Sequence, residues 1–565
     1  MEKMFIPVSQ KEAEKRGWDG FDIILVSGDA YVDSYYNGSA VIGHWLMDNG
    51  FRVGMIPQPN VTDGDDITAL GEPLLFWSVS AGCVDSMVAN YSATKKWRKD
   101  DDFTPGGVND RRPDRACIAY SNLIKKHFKG TRPIVLGGIE ASLRRIAHYD
   151  MWSESVRRSL LFDAKADIIT YGMAELSNLG IAEAMRDGKE WRDVRGICHI
   201  SKDRKEGYEV IPSFESCSED KNAFINAFKT FYENCDPLTA KGLVQRHGDR
   251  FLVHNPPSPH ISTEMLDRIY GSDYENKIHP SHAKNGKVRS METIKQSVTT
   301  HRGCYGECNF CAIAVHQGRT VISRSESSIL NEVTEMTKRK GFNGVIYDVG
   351  GPTANMYGTG CLKMAQVGPC KDKRCLFPKI CDRLSADHEA QISLLEKIES
   401  IDGVRKVFVA SGIRYDLILA DKRNGKRYLD RIVGNNISGQ LKIAPEHISD
   451  DIVKLMGKPG RKELLDFKRM FDAANKEQGK EQFLTYYLIA AHPGCYDRHM
   501  EELRRFVTFE LRTNPEQVQI FTPAPSTFST MMYHTRRNIE NDKDLKAERS
   551  MQMKQRQKDI LLGKE

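Results

Sequence analysis

The stretch HRGCYGECNFCAIAVHQGR, residues 301–319, holds three cysteines in the spacing Cys-x3-Cys-x2-Cys. They are Cys304, Cys308 and Cys311, and an aromatic residue, Phe310, directly precedes the third. Because a structural zinc site is closed by four protein ligands, three thiolates predict instead a four-iron cluster that keeps one iron open to a small molecule. The alternative is a zinc knuckle in which His301 or His316 supplies the fourth ligand.

Strands and helices alternate from residue 294 onward, on both sides of this loop. The sequence predicts strands over residues 294–300, 344–349, 406–410, 440–444, 483–489 and 517–521, with helices over 325–340, 387–401 and 461–478. Six βα units predict a partial (βα)6 barrel over residues 291–530. Functional groups of such barrels gather at the carboxyl ends of the strands.

Each predicted barrel strand ends in a turn rich in glycine, proline or polar residues. Gly350 and Gly351 follow the second strand, where small residues expose backbone carbonyls to a bound amine. Ser411 follows the third strand and Glu446 the fourth. We expect these four residues to contact the small molecule at the open iron. The sequence does not identify a catalytic residue.

A second α/β pattern occupies residues 1–190. The sequence predicts strands over residues 21–28, 51–56, 74–79, 133–136 and 167–171, and helices over 39–49 and 115–128. Continuous apolar runs alternating with helices indicate a doubly wound α/β domain. The turns 28–38 and 137–142 follow two of these strands and are candidate ligand edges. Residues 191–290 are predicted to be a mixed segment and linker, and residues 531–565 a charged C-terminal tail that forms a solvated helix.

Four more cysteines lie close together after the second barrel strand: Cys361, Cys370, Cys375 and Cys381. Their number matches a closed zinc site or an auxiliary iron–sulfur cluster. The alternative is four ordinary thiols. The sequence therefore predicts a possible second metal here, with zinc slightly favoured.

Composition is that of an ordinary globular protein, with 40% hydrophobic residues, 28% charged residues and a net charge of +6 over 565 residues. That charge neither requires nor excludes nucleic acid. No window has the roughly 18 apolar residues of a membrane span, and the first residues lack the apolar core of a signal peptide. We therefore expect a cytoplasmic protein with no membrane partner, whose 13 cysteines are thiols or metal ligands.

The cysteine loop resembles the signature of radical S-adenosylmethionine (SAM) enzymes. The motifs SRSESSIL, YDVGGPTANMYG, VASGIRYDL and FTPAPST, together with the loop itself, closely resemble the YgiQ family of radical SAM proteins over nearly the whole chain. The resemblance implies a [4Fe-4S] cluster, SAM, an electron donor such as flavodoxin or ferredoxin, and a substrate that it does not identify. It also implies that Gly350 and Gly351 meet the SAM amino group.

The N-terminal domain resembles the cobalamin-binding-like domain that precedes many radical SAM barrels. The cobalt-ligating pattern Asp-x-His-x-x-Gly is missing, so we do not expect cobalamin. One expectation is that the domain instead docks on the barrel and shapes substrate access. The alternative is that it carries a corrinoid for methyl transfer without a histidine ligand. A different class of function is also open, a non-enzymatic metal-binding module that contacts RNA and whose binding weakens steeply with salt.

Overall fold

The computed structural model describes residues 4–371 and 373–564, which form two compact units. One unit comprises residues 1–260 and 268–295, and the other comprises residues 261–267 and 296–565. The ends of the predicted first domain and tail, residues 1–3 and Glu565, lie outside the described residues, as does Asp372 among the second cysteines.

Five parallel strands form one half of the sheet in the first unit. They are Ile23–Ser27 (β1), Val53–Pro57 (β2), Phe76–Ser80 (β3), Ile134–Gly137 (β4) and Ile168–Thr170 (β5). Their order is β2-β1-β3-β4-β5. Most of their side chains are buried, as expected for parallel strands with covered faces. The predicted α/β class is confirmed.

Four further strands continue the same sheet beyond residue 190. They are Ile197–Ser201 (β6), Glu209–Ile211 (β7), Leu243–His247 (β8) and Arg250–His254 (β9), in the order β5-β6-β9-β8-β7. Only the pair β7–β8 is parallel within this extension. Polar residues interrupt these strands, which explains why residues 191–254 show only weak periodicity in the sequence.

Helices connect these strands, and two short strand pairs complete the unit. The helices are Gln10–Lys15, Gly38–Asp48, Asp65–Thr68, Ser86–Asn90, Ala116–His127, Gly138–Leu143, Leu160–Asp163, Glu175–Arg186, Phe214–Glu219, Lys221–Glu233, Pro280–Ala283 and Arg289–Ile294, with Thr263–Tyr270 crossing the division. The short pairs join Val32–Asp33 to Lys277–Ile278 and His148–Asp150 to Ser155–Arg157.

The second unit is built on parallel strands in chain order. They are Ser297–Thr299 (β10), Val345–Ile346 (β11), Asp348–Gly350 (β12), Lys406–Val407 (β13), Gln440–Glu446 (β14), Phe483–Ala490 (β15) and Gln517–Ile520 (β16). β12 pairs with β10 and β11 with β13, so both belong to the predicted second strand. A parallel bridge between Ile413 and Ile443 leads to the sheet β14-β15-β16. This is the predicted partial barrel.

Helices again separate the strands. They are Ile313–His316, Glu326–Thr337, Leu362–Val367, Glu389–Glu399, Tyr415–Ala420, Gly425–Arg431, Asp450–Met456, Arg461–Glu477, Asp497–Phe509, Phe528–Thr535 and Met551–Leu562. The helix Arg461–Glu477 shows how sequence sets the buried face. Leu464, Phe467 and Phe471 recur at the three- and four-residue spacing of one helical face and are buried.

The helix Met551–Leu562 corrects the expectation of a solvated tail. Lys554 and Gln557 on this helix are fully buried. The Gln557 side chain accepts a hydrogen bond of 3.0 Å from the Ala491 backbone N–H at the end of β15. The Lys554 ammonium lies 4.7 Å from the centre of the Tyr533 ring. A charged sequence can therefore pack, because the lysine stem covers apolar surface and its charge meets an aromatic face.

Replacing Gln557 by alanine should lower the free energy of unfolding of this unit by about 1–3 kcal/mol, because a buried backbone N–H loses its acceptor. Chemical denaturation followed by far-ultraviolet circular dichroism measures the change, because all six tryptophans belong to the other unit. Gln552→Ala, an exposed position of the same helix, is the matched control and should have almost no effect. Equal effects at both positions would show that the helix is not packed as described.

Candidate functional site

The cysteine loop follows β10 at the carboxyl edge of the barrel. A short antiparallel pair, His301–Arg302 with Ile322–Ser323, closes the neck of the loop. Gly303 follows this pair with a φ of +83°, and a Cβ there would lie 2.1 Å from the Thr320 carbonyl oxygen. Only glycine fits such a position, so the neck turns directly into the first cysteine.

The three thiols of the loop are half-buried. Cys304 Sγ lies 3.4 Å from the Thr353 hydroxyl and accepts a hydrogen bond of 3.4 Å from the Gly306 backbone N–H. Burial raises the pKa of Cys304, and burial together with the neighbouring Cys308 raises the pKa of Cys311 to about 12. Metal binding to such thiols therefore requires the release of their protons.

A buried ion pair reaches this loop from the end of the third barrel strand. The Arg414 guanidinium donates to the Asp416 carboxylate at 2.8 Å through Nε, and to Cys308 Sγ at 3.5 Å. Burial opposes the charge of Arg414, but the Asp416 carboxylate overrides it and raises the pKa of Arg414. The site thus keeps a permanent positive charge beside one cysteine sulfur.

Glu446 lies at the end of β14, near the same loop. Its backbone has a φ of +67°, at an irregularity in the pairing of β14 with β15. Burial raises the pKa of Glu446, while Lys458, whose ammonium is 3.9 Å away, and Arg414 lower it. Its charge in turn contributes to the raised pKa of Cys311. The structure therefore brings this predicted SAM contact close to the cysteine loop.

Gly350 and Ser411 lie side by side on the second and third strands. A Cβ at Gly350 would lie 3.2 Å from the Ser411 Cβ. The Gly350 carbonyl already accepts hydrogen bonds from the Thr300 backbone N–H at 2.7 Å and from the Thr300 hydroxyl at 3.1 Å. The Ser411 hydroxyl donates to the Asp348 carboxylate, which also accepts the Ser411 N–H at 3.0 Å. The Gly350 carbonyl and the Ser411 hydroxyl, both on residues predicted to contact SAM, are therefore already engaged in hydrogen bonds within the barrel.

Gly351 packs against the ring of His301. A Cβ at Gly351 would lie 2.5 Å from a carbon of this ring. His301 is fully buried, its Nδ1 lies 2.9 Å from the Thr300 hydroxyl, and burial lowers its pKa to about 4. The His301 ring is therefore neutral at physiological pH and packs directly against the turn at Gly351.

The middle of the cysteine loop is anchored from two directions. The Asn309 backbone N–H donates to the Met456 carbonyl at 2.9 Å, and its side-chain amide donates to the Leu455 carbonyl at 2.8 Å. From the segment of the second cysteine group, the Arg374 guanidinium donates to the Glu307 carbonyl at 3.1 Å and to Asn309 Oδ1 at 2.6 Å. These contacts fix the residues on either side of Cys308.

The second cysteine group lies beside the first. Cys361, Cys375 and Cys381 pack, together with Cys304, against one apolar cluster of buried residues. Its members are Tyr305, Met356, Met364, Leu376, Leu384 and Leu417. Burial, the Glu307 carboxylate and the other three thiols of the group raise the pKa of Cys375 to about 12. Three of these thiols thus share one apolar cluster, and all of the other three influence Cys375 electrostatically.

Neither cysteine group has the side-chain geometry of a closed metal site. Within residues 4–371 and 373–564, no three His, Cys, Asp or Glu side chains have the geometry of a formed site. The loop nevertheless fits an iron–sulfur group. Its donors are soft thiols, and Gly306 keeps the space beside them open, since a Cβ there would lie 3.1 Å from Cys304 Sγ.

The candidate edge at residues 28–38 of the first unit is filled by the chain itself. The Asp29 carboxylate accepts hydrogen bonds from Arg112 at 2.7 Å and from the Cys83 N–H at 2.6 Å, and Arg112 also contacts Asp101 at 3.2 Å. Arg112, Asp29 and Asp101 are buried. The strand pair of Val32–Asp33 with Lys277–Ile278 covers the rest of this turn.

The second candidate edge, residues 137–142, is also occupied. Gly138 has a φ of +76°, and a Cβ there would lie 2.6 Å from the Ser80 hydroxyl. The buried Glu140 carboxylate accepts hydrogen bonds from the backbone N–H groups of Ser86 at 2.9 Å and Cys117 at 3.2 Å. Both glycine-containing turns therefore allow neighbouring loops to pack closely.

Several residues of the site were not predicted from sequence. Arg414 and Asp416 stand in the motif SGIRYD with two-residue spacing, and this charge pair at a strand end is the signal that could have drawn attention to them. Thr353 and Arg374 carried no such signal, because their roles depend on contacts with residues far away in the chain.

Comparison with known proteins decides the family. A model for the radical SAM N-terminal region matches residues 5–297, and one for the radical SAM superfamily matches residues 298–507. A UPF0313 protein of Fusobacterium nucleatum is 55% identical over 561 residues, and one of Thermotoga maritima is 46% identical over 564 residues, each with 99% of both chains covered. The chain belongs to the UPF0313 family. This is the YgiQ family that its motifs resemble.

Among solved structures, the cobalamin-dependent S-adenosylmethionine radical enzyme OxsB matches this UPF0313 protein with a TM-score of 0.50 and 11% identity. The match covers 93% of this chain and 56% of that chain. Identity that low shows a shared fold and nothing more. The fold class predicted from the sequence is thereby supported a second time.

Radical SAM membership makes this UPF0313 protein an enzyme of that class and implies a [4Fe-4S] cluster and SAM. It disfavours the alternative of a non-enzymatic module that contacts RNA. Among the described residues, no helix is long and apolar enough to cross a membrane. The cytoplasmic location and the electron donor stay predictions.

Substituting alanine for Gly351 should lower the free energy of unfolding by about 1–3 kcal/mol, because the added methyl group overlaps the fully buried His301 ring. Gly360→Ala is the matched control in the same region, since a Cβ at Gly360 meets nothing within 4 Å. Thermal unfolding of both variants checks this. A Gly351→Ala variant as stable as the control would contradict the described packing.

Proposed function

We propose that this UPF0313 protein holds a [4Fe-4S] cluster through Cys304, Cys308 and Cys311 and cleaves SAM reductively to start radical chemistry on a further substrate. One observation carries the proposal. The three thiols stand on one loop at the carboxyl end of the first barrel strand, where the site of a barrel enzyme lies. The zinc-knuckle alternative with His301 as fourth ligand is less well supported, because the His301 ring is buried against Thr300 and Gly351.

When bound, the cluster supplies the electron that splits SAM into methionine and a 5′-deoxyadenosyl radical. The chain's own contribution is position and charge. Arg414, held in place by Asp416, donates to Cys308 Sγ and offsets the negative charge of the thiolates. Thr353 and the Gly306 N–H do the same for Cys304 through neutral contacts.

The SAM-binding side is formed by the second, third and fourth strand ends. Since Thr300 already uses the carbonyl of Gly350, we assign the contact with the SAM amino group to the carbonyl of Gly351, with Gly350 shaping the turn. Ser411 and Asp348 set the spacing between the second and third strands. Glu446, the remaining predicted contact, offers a carboxylate between the cysteine loop and Lys458.

In this proposal the first unit is a structural domain that binds no cofactor. The OxsB structure contains aqua-cobalamin, as its description states. In this chain, however, the turn after β1 is already filled. The buried ion pair of Asp29 with Arg112 lies there, as does the strand pair at Val32–Asp33. We therefore assign no corrinoid to it, and methyl transfer through cobalt is not part of the proposed reaction.

Cobalamin binding can be measured directly. Protein incubated with hydroxocobalamin and passed over a desalting column should elute without the absorption of the corrinoid, because the edge is filled by side chains. The Arg112→Ala variant, which opens space beside Asp29, is a useful comparison. Stoichiometric coelution of hydroxocobalamin with the unaltered protein would refute the closed-edge assignment.

The central test removes the proposed cluster ligands. Anaerobically reconstituted protein should contain about four irons per chain and form 5′-deoxyadenosine from SAM with dithionite, even without substrate. The Cys304→Ala, Cys308→Ala, Cys311→Ala variant should lose both the iron and the product. Cys83→Ser, at an exposed cysteine of the first unit, is the control and should keep both.

Two outcomes would count against the proposal. The triple variant could keep its full iron content, which would place the cluster elsewhere. Alternatively, the iron-loaded protein could bind SAM and release no 5′-deoxyadenosine, which would leave a cluster-binding protein without the proposed reaction.

A further inference from the structure

The segment that carries the second cysteine group, residues 361–385, is tied at its base but has little secondary structure. Gly360 and Ser385 exchange two backbone hydrogen bonds of 3.2 and 2.9 Å at the base. Inside, the Cys381 N–H donates to the Cys375 carbonyl at 2.9 Å. Of its described residues, only Leu362–Val367 form a helix. Backbone pairing alone therefore does little to fix this segment, which we call the second cysteine loop.

The four thiols of the second cysteine loop nevertheless lie in the same region of the structure, although they do not have the geometry of a closed metal site. Cys361, Cys375 and Cys381 pack against a common apolar cluster, and the sulfur of Cys370 accepts a hydrogen bond of 3.4 Å from the Lys363 ammonium. All four are half-buried and none forms a disulfide. Four free cysteines on one loop are a ligand set for which the proposed SAM chemistry has no use.

We propose that Cys361, Cys370, Cys375 and Cys381 bind one zinc ion as a closed tetrathiolate site, and that this site holds Arg374 against the cysteine loop of the barrel. This goes beyond the proposed function, which requires only the other three cysteines. On binding, four S–Zn bonds form and four thiol protons pass to solvent, with no change of oxidation state. Four thiolates satisfy zinc completely and leave no open position.

The charge of the second cysteine loop suits such a site. A zinc ion with four thiolates carries a net charge of −2, which is costly to bury without compensation. Residues 361–385 contain six basic and two acidic residues. Lys363 already lies at one of the sulfurs. An iron–sulfur cluster shares the requirement for four thiolates, so the experiment must separate zinc from iron.

Arg374 links the two cysteine loops. It directly precedes Cys375, so a metal bond to that sulfur fixes the backbone from which the guanidinium extends. The guanidinium contacts Glu307 and Asn309, the neighbours of Cys308, and lies 4.7 Å from the centre of the Phe528 ring. Because metal-binding free energy becomes folding free energy in a segment with little structure of its own, zinc would stabilise the cysteine loop through Arg374.

The experiment measures zinc and iron per chain by mass spectrometry of the purified full-length protein. In the Cys304→Ala, Cys308→Ala, Cys311→Ala background, about one zinc should remain while iron is lost. Replacing the four cysteines of the second loop by serine should lower zinc at least tenfold and leave the cluster iron in place. Cys83→Ser, at an exposed thiol outside both loops, should change neither metal. Zinc is thus measured in a chain that has lost the proposed function, so the two proposals fail separately.

A single substitution keeps the test informative if the fourfold variant misfolds. Cys370 is the one of the four that is not part of the apolar packing, so Cys370→Ser should fold normally and release zinc to a chromogenic chelator at least tenfold faster than the unaltered protein. Unchanged zinc content in the fourfold variant would overturn the proposal. So would iron and sulfide at the second loop in place of zinc, or rapid alkylation of all four thiols in the native protein.

The link through Arg374 has its own readout. Arg374→Ala should keep the zinc and speed hydrogen exchange at the backbone of residues 307–309 at least threefold. The fourfold serine variant, which loses the zinc, should speed the same exchange by a similar factor. Lys373→Ala, an exposed neighbouring cation, is the matched control. Exchange that is equally slow in Arg374→Ala and Lys373→Ala would refute the link.

Discussion

Hydrogen bonds between the first and second barrel strands set the geometry on which the candidate site depends. The register of β10 on β12 places Thr299 opposite Gly350, so that the next residue, Thr300, directs both its N–H and its hydroxyl to the Gly350 carbonyl. The neck of the cysteine loop begins one residue later. A shift of one residue in this pairing would move every side chain to the opposite face and separate the glycine turn from the thiols.

Charge within the site is balanced locally. Arg414 and Asp416 neutralise one another in a buried pair, and Arg414 still has a donor left for Cys308. Glu446 is opposed by Lys458 and Arg414. Breaking a buried pair by removing one partner costs several kcal/mol, about 3–5 in measured cases. The position of the Arg414 donor beside Cys308 is therefore built into the barrel and does not depend on a bound ligand.

Much of this organisation could be predicted from the sequence, since it follows from local patterns. Apolar runs gave the five strands β1–β5 and the six barrel strands, because a parallel strand must bury both faces. Strands β6–β9 were missed, because polar residues interrupt them. The packed helix Met551–Leu562 was predicted to be solvated, because the burial of Gln557 depends on Ala491, a residue far away in the chain. Likewise, the hydrogen bonds that use the Gly350 carbonyl cannot be read from a glycine motif.

The pairing of Arg414 with Asp416 has a consequence for the life of the enzyme in air. Oxygen destroys exposed iron–sulfur clusters. If the charge of Arg414 were balanced only by a cluster, loss of the cluster would leave a buried positive charge without a partner. Here the cation keeps its carboxylate partner after the inorganic group is gone. Loss of a cluster would therefore leave no unpaired charge at Arg414 to destabilise the fold of the barrel.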